Sequence, residues 1–493
     1  MHSFDWMEAD VKGIHQAYKA GQLTCRQLTE GYLRRIEAYD KKGPAIQSII
    51  QVNPRALDQA DELDRYLEEK GSLMGPLHGI PILLKDNVDT HDLPTTAGSK
   101  SLEGSIPRRD AFLVRKLRQA GALILAKTNL HEFAIWGETI SSMLGQTLNP
   151  YDLTRTPGGS SGGTGAAVAC NFGVIGIGTD TVNSIRSPAS ACDLVGIRPT
   201  VGLVSRAGVV PYSLTQDTAG PICRTVEDCV RTLDVIAGYD PDDEETAWGM
   251  TRKPDSYLPY LDSKGLAGKR IGVIKSFFGQ EEKNQAVNRI MDEAMAVFEA
   301  GGAALVPVDQ DLDSSYMIRE VSVHLDDFRS HLDAYLASLG PEAPVHSVQE
   351  IIDSGLFHPG IGDNLQKAMA LNTESPEYKE KLLRQSRLRT LIMKIMADLN
   401  LDALIYPHQQ ELVCKTGASQ EGRNGVLCSA TGFPSIAVPA GFAPDKEALL
   451  GVPVGLEIMG RPYSEPLLIA IAYSYEQGAD QRKPPASCPD LGA

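Results

Sequence analysis

The string "TPGGSSGGTGAAVAC" (156–170) holds two adjacent serines, Ser160 and Ser161, among closely spaced glycines. A flexible linker would continue as low-complexity polar sequence. This string runs instead into Ala166, Ala167, Val168 and Ala169, small residues suited to a tightly packed helix. A serine at the mouth of such a helix is a candidate nucleophile for acyl transfer, and GxSxG fits in two frames, centred on Ser160 or Ser161. That motif needs a later Asp or Glu and then a His. The histidines that follow (His324, His331, His346, His358, His408) occupy mostly helical or unremarkable contexts, and GxSxG arises easily by chance in a Gly/Ser-rich string. A Walker-type phosphate cradle fails because its Lys is missing. Gly173, Gly176 and Gly178 are wrongly spaced for a dinucleotide fingerprint.

A serine nucleophile needs a base. "IPILLK" and "ALILAK" end short apolar runs on Lys85 and Lys127. An unperturbed lysine titrates near 10.4, so keeping one neutral at pH 7 costs about 4.6 kcal/mol. Burial lowers that pKa and turns lysine into a base. The ordinary alternative is an ammonium paired with a carboxylate, and Asp86 and Asp89 are close in sequence. Pattern alone leaves the choice between the two lysines open. A third segment, "GIGTDTVNSIRSPAS" (176–190), reads as a buried strand followed by a polar turn from Thr179 to Asn183, with Ser184 just beyond. Successive N–H groups at such a turn can form an oxyanion hole; Thr179, Ser187 and Ser190 would serve equally as caps.

These groups need a scaffold. "NPRALDQADELDRYLEEK" carries Leu57, Ala60, Leu63 and Leu67 at helical steps after Pro54. Short apolar runs bounded by Gly or polar residues predict buried strands at 79–86, 121–129, 173–180, 269–274, 304–308, 403–407, 434–441 and 454–460, with a helix at 111–120. Strands alternating with helices define an α/β class with a buried sheet covered by helices. Residues from about 310 to 400 are a helix-rich excursion without clear strands, a candidate lid, and the Pro-rich tail "QRKPPASCPDLGA" is expected to be poorly ordered.

Over 493 residues, 42% hydrophobic and 22% charged, the composition is that of an ordinary soluble globular protein. A formal charge of -16 without basic clusters argues against nucleic acid. No apolar run approaches the roughly 18 residues that span a bilayer, and the N-terminus lacks a signal-peptide pattern. Eight cysteines without CxxC spacing read as free thiols of a reducing compartment, and ten histidines form no HExxH pair or cluster with them. The expectation is a cytoplasmic protein with no metal and no cofactor.

"GIPILLKDN", "AKTNLHEFA", "TPGGSSGGTGAA", "GTDTVNSIRSPAS" and "VGIRPTVGLVSR", in that order, resemble the amidase signature family of serine hydrolases. The resemblance continues through "DTAGPICRTVEDC", "GFPSIAVPAGF" and "GVPVGLEIMGRPY", and is poorest near 310–400. It implies one large domain over residues 1–493 with a mixed sheet, and a Ser–Ser–Lys triad whose motif positions fall on Lys85, Ser160 and Ser184. The resemblance thus selects Lys85 over Lys127. It assigns Ser184 as nucleophile, Ser160 as the bridging serine after a cis peptide, and the N–H groups of Thr181, Val182, Asn183 and Ser184 as the oxyanion hole. The implied activity is hydrolysis of a small, hydrophobic or aryl amide (or ester, anilide or carbamate) through an acyl-enzyme, in a chain acting alone or as a homodimer. Two alternatives stand beside it: the A subunit of a glutamyl-tRNA amidotransferase, and a catalytically silent binding protein of the same fold. The sequence departs from the family where a glycine pair before the nucleophile becomes Val182-Asn183, and Asn183 is expected to adopt a left-handed backbone there. Trp136, Phe277, Phe278, Tyr316 and Phe328 are candidate wall residues for an apolar substrate, or else core.

Overall fold

A computed structural model describes residues 4–479 and 481–491. Its strands are β1 (Ile49–Val52), β2 (Pro81–Lys85), β3 (Leu123–Thr128), β4 (Ile140–Ser141), β5 (Gly145–Gln146), β6 (Ile175–Asp180) and β7 (Val195–Arg198). They continue as β8 (Thr218–Cys223), β9 (Arg270–Ile274), β10 (Ala304–Val308), β11 (Ala403–Pro407), β12 (Ser435–Asp445) and β13 (Ala448–Met459). Eleven of them form one sheet in the order β1-β3-β2-β6-β8-β7-β12-β13-β11-β9-β10. β2 runs parallel to β3 and β6, and β9 parallel to β10 and β11, while β8, β7, β12 and β13 join the two parallel groups antiparallel. The sheet is mixed, and β2, β3, β6, β7, β8 and β11 are buried along their whole length.

The eight predicted strands all form. Within the large sheet the sequence patterns miss β1, β7 and β8. β1 is four residues long, β7 carries Gly196 and ends on Arg198, and β8 has Gly220 and Pro221 in its middle. Such residues read as breakers, but a ladder between two buried neighbours overrides them. The predicted helices form at Ala56–Lys70 and Phe112–Gln119.

The tail differs from its expectation. The buried Arg35 guanidinium donates to Cys488 O and Pro489 O, each at 2.7 Å, and Ser487 Oγ donates to Pro150 O at 2.6 Å. A buried guanidinium demands acceptors, and the tail carbonyls supply them; residues 492–493 lie outside the described range. Between β10 and β11 the chain is helical, with main helices at His324–Ser338, Val348–Ser354, Gly362–Ala370 and Pro376–Asp398. Phe328, Leu332, Leu336 and Leu365 of this excursion share a core with Phe133 and Tyr212 of the sheet's loops.

Candidate active site

β2 and β6 are parallel neighbours, so their carboxyl ends open at the same edge, the usual place for a site in such sheets. Lys85 is the last residue of β2 and is fully buried. Its Nζ lies 2.7 Å from Ser160 Oγ and 2.8 Å from Thr179 Oγ1 of β6. Asn87 Nδ2 donates to the same Thr179 hydroxyl at 3.1 Å. Burial pushes the Lys85 ammonium down to about 7, against the pull of Asp180 and Asp217.

The loop before helix Gly162–Ala169 is held on every side. Thr139 Oγ1 donates to Gly158 O at 2.7 Å, Ser187 Oγ accepts from Gly159 N–H at 3.3 Å, and His131 N–H donates to Ser160 O at 3.0 Å. The Gly159–Ser160 peptide is cis. Gly158 has φ +69 with Ser187 close by, and a Cβ on Gly163 would lie 2.3 Å from Asn129 O, which explains two of the glycines. Ser161 is tied to β6, donating to Thr179 O at 3.2 Å and accepting from Thr179 N–H at 3.3 Å.

Ser184 follows β6 after a three-residue turn. Its carbonyl accepts from Ser161 N–H at 3.3 Å, joining the two serine segments, while its Oγ makes no hydrogen bond among the described residues. The N–H groups of Thr181, Val182, Asn183 and Ser184 also donate to no protein acceptor among the described residues, whereas Ile185 N–H donates to Asp180 Oδ2 at 3.0 Å. The turn's carbonyls, in contrast, are occupied. Val182 O accepts from Arg186 Nη2 at 2.8 Å, Thr181 O from Gln216 Nε2 at 3.2 Å, and Asn183 O from Ser187 N–H at 2.7 Å. Arg186 is fully buried, bonding Asp180 at 3.1 Å and Glu457 at 2.7 Å, and Glu457 takes a further 2.6 Å bond from His408. Neither Val182 nor Asn183 has a positive φ, so the expected left-handed Asn183 is absent. Anchoring the carbonyls from outside shapes the turn without a left-handed residue.

Ser184 opens into a cleft of about 680 Å³ shared with Thr181, Val182 and Asn183. Ala134, Ile135, Trp136, Tyr212 and Ile318 supply its apolar surface. Its rim is charged: Lys283 pairs with Glu411 at 2.8 Å and Arg423 with Glu138 at 2.5 Å, while Asp311 and Asp313 have no ion-pair partner among the described residues. Of the five aromatic wall candidates only Trp136 lines this cleft; Phe277 and Phe328 are core, Phe278 packs against the core, and Tyr316 is exposed beside a separate hollow. Lys127, the rival lysine, donates to Val88 O at 2.6 Å and lies 3.5 Å from Asp86, so it is a structural pair. No histidine bonds Ser160 Oγ, Ser161 Oγ or Ser184 Oγ among the described residues. His131 meets Ser160 through its backbone N–H alone; burial pushes its imidazole down to about 3, and Nδ1 accepts from Glu138 N–H at 3.2 Å. The one acidic-histidine group among the described residues that could hold a metal is His91, Asp92 and Asp110, outside the cleft, and Arg118 already binds both carboxylates at 2.7 and 3.0 Å. Sequence reasoning missed Gln216 and Glu457 because each acts across more than 30 residues of chain and carries no local motif.

The mixed sheet thus brings the buried Lys85 and the loop of Ser160 together at the carboxyl ends of adjacent strands, beside the turn that carries Ser184. Residues 27–469 match the family model for amidases, and the chain belongs to the amidase signature family of amide hydrolases. It is 36% identical to a probable amidase of Arabidopsis thaliana over 98% of this chain and 92% of that protein. It is 33% identical to the A subunit of the glutamyl-tRNA(Gln) amidotransferase of Acinetobacter baumannii over 97% of both chains. Among solved structures, the native peptide amidase of Stenotrophomonas maltophilia superposes with a TM-score of 0.88 at 38% identity, covering 97% of this chain and 99% of that one. A second peptide amidase structure, with the competitive inhibitor chymostatin, gives the same TM-score and identity over 98% and 100%. No helix among the described residues is long and apolar enough to cross a membrane.

Proposed function

We propose that the protein hydrolyses linear carboxamides through an acyl-enzyme on Ser184, with Lys85 as the base and Ser160 as the proton carrier between them. The observation that carries this reading is the buried Lys85, 2.7 Å from Ser160 Oγ with its ammonium destabilised. Thr179 Oγ1 receives donors from both Lys85 and Asn87, so it takes an N–H of the neutral amine and leaves the Nζ lone pair for the Ser160 proton. Rotation of Ser184 brings its free Oγ to Ser160, a contact that tightens with substrate bound. Ser184 attacks the carbonyl as Ser160 takes its proton. Ser160 then returns a proton to the leaving nitrogen, and water repeats the cycle on the ester. The unpartnered N–H groups of 181–184 face the developing oxyanion. This relay uses no metal or cofactor.

For substrate, the apolar surface of Ala134, Ile135, Trp136 and Ile318 suits a hydrophobic acyl side chain, and the charged rim suits a polar extension beyond it. A peptide-like amide has both parts, in keeping with the peptide amidases among the structural relatives. The excursion at about 310–400 supplies Ile318 and His324 to the cleft. A panel of aminoacyl and peptidyl amides, simple aryl amides, p-nitroanilides, esters and glutamine tests the reading, with gel filtration beside it. Peptide-like amides should lead in kcat/KM. Glutamine alone as substrate would support the amidotransferase alternative, and no turnover of any member, a silent binding protein.

The turn is open to a separate test. Because Asn183 is not left-handed, Asn183→Ala and Asn183→Gly should each retain single-turnover acylation within about tenfold of wild type, since a lost donor costs about 100- to 1000-fold. A thousandfold loss in both would make the Asn183 side chain itself part of the chemistry.

A further inference from the structure

We propose that Cys170 and Cys488 are a site of reversible oxidation, where a disulfide fastens the tail to the end of helix Gly162–Ala169, whose opening loop carries Ser160. The inference is independent of the reaction proposed for Ser184. The two sulfurs lie 2.9 Å apart although 318 positions separate them in sequence. An S–S bond is about 2.05 Å long, so closing it takes a shift of about 0.9 Å. A disulfide also needs its two backbones side by side, and a single nitrogen holds them so. Arg35 Nη2 donates to Cys170 O at 2.8 Å and to Cys488 O at 2.7 Å. Arg35 is fully buried, so this clamp belongs to the interior. Arg482 Nη2 adds a 3.1 Å bond from the tail to Ala169 O, at the last residue of the helix. The sulfurs of Cys25, Cys192, Cys229, Cys414 and Cys428 rest instead against nitrogen or oxygen partners.

The two thiols are chemically unequal. Contact with Cys170, assisted by the Arg35 guanidinium, holds the Cys488 thiol below the ordinary range, while burial pushes Cys170 up. Cys488 is therefore the sulfur that an oxidant meets as thiolate. It is itself buried, but Pro489 and Asp490 beyond it are exposed, so it lies just beneath the surface. With hydrogen peroxide, the Cys488 sulfur displaces hydroxide and becomes a sulfenic acid. The Cys170 sulfur then attacks that sulfur and gives up its proton, and the sulfenic oxygen leaves as water. Two thiols are oxidised to one disulfide while one peroxide is reduced to two waters. A thiol reductant reverses the step by exchange. In the reduced form the tail is held by hydrogen bonds and ion pairs, such as Ser487 Oγ to Pro150 O and Arg482 to Glu8. A cross-link that closes so long a loop strongly restricts the unfolded chain.

The test takes protein reduced with dithiothreitol, removes the reductant and adds hydrogen peroxide. Thiol titration in guanidinium should then find two fewer of the eight thiols, and the intact mass should fall by two hydrogens. A digest run without reductant should join the peptides of Cys170 and Cys488. The oxidised protein should unfold about 5 °C above the reduced one, and dithiothreitol should return it to the lower value. Cys488→Ser should lose no thiol under the same treatment and show no such shift. All thiols remaining, a bridge between other cysteines such as Cys223 and Cys229, or a Cys488 that gains oxygen without bridging would each overturn the site. A mapped Cys170–Cys488 bridge that leaves the unfolding temperature unchanged would overturn its role in fastening the tail. Should Cys488→Ser fail to fold, Cys170→Ala replaces it as the control, and the thiol count and peptide map on wild type decide in either case.

Discussion

Ser184→Ala is expected to lower kcat by about six orders of magnitude, the scale on which other serine hydrolases lose activity without their nucleophile. The fold should be unaffected, because Ser184 Oγ makes no hydrogen bond among the described residues and Ser184 lines the cleft, and a substitution that breaks no packing or bonding stays within about 0.5 kcal/mol. Ammonia release from a peptide-like amide measures the loss, and thermal unfolding checks the fold. A fluorophosphonate should add one adduct to the wild-type protein, on the peptide containing Ser184, and none to the variant. Reproducible mapping of the adduct to Ser160 or Ser161 would instead make the glycine-rich loop the source of the nucleophile. Ser160 is fully buried with its Oγ against Lys85, which is the physical reason to expect otherwise.

Lys85→Ala should cost about 100- to 10,000-fold in kcat, the usual contribution of a positioned general base. Its wild-type signature is a pH profile. In the proposed relay Lys85 works as the free amine, and burial brings its pKa down to about 7. Below that pH the amine is protonated and kcat/KM should fall tenfold per unit; above it the profile should level off. An exposed lysine with a pKa near 10.4 would leave only about one molecule in 2500 active at pH 7. The rate at which the fluorophosphonate phosphonylates the serine, with loss of fluoride, should follow the same limb, and a label rate flat through pH 6 to 8 would remove Lys85 from the mechanism. Lys127→Ala is the control. It should destabilise the protein by leaving Asp86 buried without its partner, by about 3–5 kcal/mol, yet leave the midpoint of the pH profile in place.

Much of the sheet was legible because its strands are apolar runs of four to eight residues closed by Gly or polar residues, as in β2, β3 and β6. β8 escaped notice because Gly220 and Pro221 interrupt it, and the signal that would have revealed it lies in its neighbours, β6 and β7, rather than in its own residues. The order of the tail is hidden from its own residues for a similar reason. Its Pro-rich composition says disorder, and the buried Arg35 that organises it is more than 450 positions away.

The serine, lysine and turn segments were readable as candidates because each carries a local pattern: glycines around Ser160, an apolar run ending at Lys85, and a polar turn before Ser184. Their family blocks, taken together, determined the class of chemistry. What the sequence by itself left open was decided by tertiary structure. Lys85 ends β2 and Lys127 is the penultimate residue of β3, but the parallel pairing of β2 with β6 sets Lys85 against Thr179 and Ser160, while Lys127 meets Asp86. The backbone of Val182-Asn183 follows from Arg186 and Gln216 pulling on carbonyls, not from the residues' own φ preferences. Local sequence states which groups are present. Burial, pairing and the direction of each hydrogen bond depend on residues far along the chain, and those set pKa, orientation and selectivity.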